Sequence, residues 1–166
     1  MNDYRISKLR AYLLDVIDTM TNNDKYQINA NMLSNKIDDY SLDKMPTNQE
    51  VEQWVIGTTI NRDVYSFKSR KAYSQDTINN LKNIGFFEEF EKIIKSNNDK
   101  GILPNIDNIE QIECLNCGTM QINDDGNSAI FDIQIQITYR DYQKEEVSLW
   151  NQLKQKSTLL QMIKNT

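Results

Sequence analysis

The sequence predicts a single α+β domain: an antiparallel sheet that includes a β-hairpin in the C-terminal half, with helices packed mainly on one face and an extra helix at the C-terminus. Three observations carry this. Phe131, Ile133, Ile135, Ile137 and Tyr139 alternate with Asp132, Gln134, Gln136 and Thr138, the mark of a strand buried on one face. Two long segments, near the N-terminus and in the middle of the chain, instead repeat their apolar residues at three- and four-residue steps, as amphipathic helices do. The resulting order is helix, strands, helix, hairpin, helix, and 166 residues fit one domain with a real core. The domain is expected to span 1–142, and 143–166 to be a terminal amphipathic helix that could serve as a docking arm.

Between Asp3 and Met20 the residues Ile6, Leu9, Leu13, Val16, Ile17 and Met20 make one helical stripe, and Thr21-Asn22-Asn23-Asp24 ends it with turn formers. An extended segment is expected between Tyr26 and Leu33. The polar stretch SNKIDDYSLDKMPTNQE, with Pro46, is expected to be a loop. VEQWVIGTTI, from Val51 to Ile60, has the β-branched and aromatic content of a buried strand, and Asp63 to Ser69 continues extended after a bulge or turn near Asn61. Ser74 is a good N-cap for the second helix, Asp76 suits its first turn, and Gly101 lies past its end. Its inward stripe is expected to be Ile78, Leu81, Phe87, Phe90 and Ile94. After the Pro104 connector, Ile112–Ile122 and Ala129–Tyr139 read as a hairpin around NDDGN. Val147, Trp150, Leu153, Leu160 and Ile163 then suit one face of the last helix, which covers either its own core or a neighbour.

The net charge is -5, and 19 Lys and Arg are scattered among 24 Asp and Glu, so the basic footprint of a general nucleic-acid binder is missing. The densest basic stretch runs from Arg62 to Lys71 and reads as the solvated face and end of a strand. No apolar run approaches the ~20 residues of a membrane span, and the N-terminus has no signal-peptide core, so cytoplasmic synthesis and use are expected, with free thiols.

Cys114-x-x-Cys117-Gly118 has the spacing of half a zinc knuckle or of a redox dithiol. Tetrahedral zinc needs four N or S ligands, and the chain has two cysteines and no histidine, so no knuckle closes within one chain. A site shared between two chains stays open on ligand count, although residues three apart on a regular strand point to opposite faces. A redox dithiol normally sits at a helix N-terminus, and this pair is expected in mid-strand. The absence of histidine also removes Ser-His and Cys-His nucleophile pairs. FEEFE, with Glu88, Glu89 and Glu91, reads as the solvated side of a helix, and the five glycines are isolated, so no phosphate-cradling loop is present. Trp54, Phe86, Phe87 and Trp150 read as core or interface anchors. No enzymatic activity and no cofactor are expected.

Val64 to Arg140 contains a strand with Phe67-x-Ser69-Arg70-x-x-Tyr73 and a helix with Asn80-Leu81-x-Asn83-Ile84-Gly85-Phe86-Phe87-Glu88-x-Phe90. It also has a Gly101-x-Leu103-Pro104 connector and a closing Ile112-Glu113-x-Leu115-x-x-Gly118. This pattern, over a little under half of the chain, resembles the tail terminator or minor capsid proteins of tailed phages and phage-derived particles of Gram-positive bacteria. The resemblance implies a small α+β subunit, made in the bacterial host cytoplasm, that assembles as a ring, expected to be hexameric, on the head-proximal end of a tail tube. Such a ring ends tube polymerisation and joins a collar, sheath or neck, and the subunit then resides in the virion or tail-like particle. The Ser34–Glu50 region and the segment after Gln143 depart from the shorter family members. Interface candidates are Arg62, Lys68 and Arg70 as polar contacts and Trp150, Leu153 and Leu160 as apolar ones. The competing readings are a head-completion or neck adaptor and, in another class, a thiol-dependent metal or redox module using Cys114 and Cys117.

Overall fold

The computed structural model describes residues 4–21, 26–47, 50–53, 58–73, 77–116, 118–122 and 126–142. It is an α+β fold with a mixed, mostly antiparallel seven-stranded sheet and two helices. The helices are α1 (Arg5–Thr21) and α2 (Thr77–Asp99); the strands are β1 (Ile28–Ala30), β2 (Asp39–Met45), β3 (Glu50–Gln53), β4 (Thr59–Ala72), β5 (Ile109–Cys114), β6 (Thr119–Ile122) and β7 (Ser128–Asp141). The order across the sheet is β1-β2-β4-β7-β5, with β3 beside β4 and β6 beside β7. Among the described strands only the β1–β2 pair is parallel.

The frame is the pairing of β4 with β7, in register without interruption from Thr59 opposite Asp141 to Ala72 opposite Ser128. Because side chains alternate along a strand, that register puts Tyr65, Phe67 and Ser69 beside Ile135, Ile133 and Phe131 on one face. Both helices pack on this face. Leu9, Leu13, Val16 and Ile17 of α1 and Phe87, Phe90 and Ile94 of α2 close the core over the strands. An aromatic series runs through it: Tyr40 stacks on Phe67 at 5.7 Å and Phe67 on Phe90 at 5.1 Å, while Phe87 stacks on Phe131 at 4.7 Å. Pairs of this kind contribute beyond the area they bury.

Four expectations need correction. The polar stretch that reads as a loop contains β2, a strand of the core. Tyr40 and Leu42 point to the helices and are fully buried, while the carboxylates on either side of them are held on the opposite face: Asn29 donates to Asp39 and Lys68 pairs with Asp43 at 2.7 Å. Pro46 follows the last strand residue, where a missing ladder donor costs nothing. The expected strand Val51–Ile60 is divided between β3 and the start of β4, and β4 passes through Asn61 unbroken; the irregularity lies on β3, between Glu50 and Glu52.

On α2, Phe87, Phe90 and Ile94 point inward, but Ile78 and Leu81 are 64% and 60% exposed. At ~100° per residue Leu81 lies opposite Phe90, so the three- and four-residue steps hide two different faces. Ser74 and Asp76 lie outside the described residues. The C-terminal stop is as expected: Gly101 has φ +71°, Ile102 N–H donates to Asn97 C=O at 2.8 Å and Gly101 N–H to Asn98 C=O at 3.0 Å, a Schellman closure.

The C-terminal hairpin is present, with a broken first strand. β6 pairs with the first part of β7 (Ile122 opposite Ala129) and β5 with its later part (Cys114 opposite Ile135). Between them Leu115 N–H donates to Gln134 C=O and the Asn116 side chain accepts from Gln134 N–H, so ladder bonds continue across the break. Gly118 sits there with φ +75°, and a Cβ on it would approach Ile133 to 3.3 Å. Cys114 is thus the last residue of β5 and not in mid-strand.

Candidate functional site

Arg62, Lys68 and Arg70 all fall at even positions of β4, on the sheet face away from α1 and α2. There the ladder supplies partners. Lys68 Nζ meets Asp43 on β2 at 2.7 Å; Arg70 Nε donates to Ser34 C=O at 2.8 Å and its Nη1 to Ser128 Oγ at 3.3 Å. Ser66 Oγ donates to Asp132 at 2.7 Å and Gln136 to Glu113 at 2.8 Å. Opposite charges on adjacent strands of a sheet stand ~5 Å apart and satisfy each other first. Lys68 and Arg70 therefore hold β2 and its preceding loop to β4. Trp150, Leu153 and Leu160 lie outside the described residues.

Two charged clusters flank the core, one at each end of the sheet. At the Thr59 end, Asp63 of β4 points to the helix side and is fully buried; Arg5 of α1 reaches it at 3.2 Å and Lys44 of β2 at 2.8 Å. Arg5 also donates to Tyr139 Oη at 3.0 Å and lies over its ring, 4.0 Å from the centroid. At the Ala72 end, the nearly buried Lys71 donates to Asp38 at 2.8 Å and to Tyr40 Oη at 3.0 Å, with the Phe86 ring 4.2 Å from its ammonium group. Burial pushes the phenols of Tyr40 and Tyr65 well above the usual tyrosine value, with Asp38 adding to it for Tyr40 and Asp63 for Tyr65. Each cluster ties elements far apart in sequence, α1 to β4 and β2 at one end and β2 to β4 and α2 at the other. At the Ala72 end one cation meets one carboxylate, and at the Thr59 end two cations share the single carboxylate of Asp63.

A third place is the cleft between α2 and β5, where Glu91, Lys95, Asn98, Asp99, Glu113 and Cys114 meet. Asn98 anchors it by accepting from Ile112 N–H at 3.0 Å. Cys114 is half-buried on the helix side near Tyr12, whose phenol burial pushes up despite a hydrogen bond from Asn97. Cys117 lies outside the described residues. Among the described residues no three metal-ligating side chains gather closely enough to hold an ion, and no helix is long and apolar enough to cross a membrane.

What the described surface does offer is apolar area. Leu81 and Ile84 on α2, Leu115 beside the β5 end, and Met120 and Ile122 on β6 are all exposed. Sequence periodicity missed this surface because it assigned Leu81 to the core stripe and Ile112–Ile122 to one regular strand. Plotting α2 at ~100° per residue is the signal that separates Leu81 and Ile84 from Phe90.

No protein-family model matches the chain, and no curated protein matches it significantly.

Proposed function

We propose that the chain is a structural assembly protein, a tail terminator subunit that closes as a ring on the head-proximal end of a phage or phage-tail-like tube, ends tube polymerisation and presents the surface for collar, sheath or neck. It acts by binding, without bond chemistry or cofactor. Heterologous contacts that close by rotation give rings, so one small subunit is enough to cap a symmetric tube. The observation that carries this reading is a division of labour within the terminator-like motifs. Phe67, Ser69, Phe87, Phe90, Pro104 and Ile112 build the core and its connections, whereas Leu81, Ile84 and Leu115 of the same motifs are exposed. Apolar side chains that serve no internal packing are the stuff of subunit contacts.

Electron microscopy of particles from a producer lacking the gene tests it. The expected result is tails without a defined length, restored to uniform length by the intact gene. Tails of normal length lacking heads or collar would move the protein to the neck, and unaltered particles would overturn the structural reading altogether.

A further inference from the structure

We draw no further inference here: the strongest candidate, the exposed apolar corner of the sheet where Met120 and Ile122 of β6 point to the helix side, carries nothing because no observation in the structure shows what covers it.

Discussion

Asp63 should be more costly to strand than to remove. Its carboxylate is fully buried, and its two cations come from different elements, Arg5 on α1 and Lys44 on β2, each with nearly half of its side chain exposed. In Asp63→Asn the cations turn to water and the new amide keeps hydrogen-bonding capacity, so the loss is that of charge-assisted hydrogen bonds, about 1–2 kcal/mol. In the double variant Arg5→Met, Lys44→Met the carboxylate stays in the core without a counter-charge, and such stranding costs about 3–5 kcal/mol. Adding Asp63→Asn to the double variant should recover about half of that loss, because the buried charge itself is gone. Chemical denaturation followed by circular dichroism at pH 7 reads all three. A double variant that loses no more than Asp63→Asn, or a triple variant less stable than the double, would show that Asp63 is not the buried charge that organises this end of the sheet.

Three further outcomes follow from the packing. Leu42 is fully buried on β2, so Leu42→Ala should lose about 3 kcal/mol in the same denaturation experiment; a loop residue would lose almost nothing. Gly101→Ala should cost about 1 kcal/mol, read as a lowered Tm, because the left-handed φ of +71° penalises a side chain even where open space surrounds the Cβ. The phenols of Tyr40 and Tyr65 stay protonated in the folded state beyond the value of about 10 that holds in the unfolded chain. The stability they contribute is therefore complete below about pH 10 and is lost as pH rises towards their folded values, by up to about 1.4 kcal/mol per pH unit for each phenol. Alkaline titration should show their phenolate absorbance appearing only with unfolding, and Tyr40→Phe should flatten the loss.

The parts of the fold legible in the sequence are those whose burial is one-sided and regular. β7 alternates cleanly from Phe131 to Tyr139 because the helices cover one of its faces there and the other carries polar ladder contacts. α1 lies flat on the core, so its apolar stripe and its buried stripe coincide at Leu9, Leu13, Val16 and Ile17. β2 escaped because its outward positions are charged on both sides of Tyr40 and Leu42, and a strand with so much Asp and Lys looks like a loop until Lys68 and Asn29 are seen to hold those carboxylates. On α2, steps of three and four describe the core stripe and the exposed stripe equally well, and only the phase relative to Phe90 tells them apart. The break between β5 and β6 was readable only as Gly118, a residue whose need for φ +75° cannot be seen without the backbone around Ile133.

The same distinction decides which residues are available to a partner. A charged side chain on a central strand has two neighbours on adjacent strands at ladder distance, and here Asp43 takes Lys68 while Ser34 and Ser128 take Arg70. To meet an acidic neighbour these cations would first have to release β2, and a surface ion pair returns at most about 1 kcal/mol. Leu81, Ile84, Met120 and Ile122 have no such prior commitment to the core: apolar area still in water is worth ~25 cal/mol per Å² when covered, and covering it disturbs nothing already formed. Among the described residues the large apolar side chains still in water therefore include those on the outer stripe of α2 and the helix side of β6. Lys68 and Arg70 are already spent on holding β2 and the loop before it to β4.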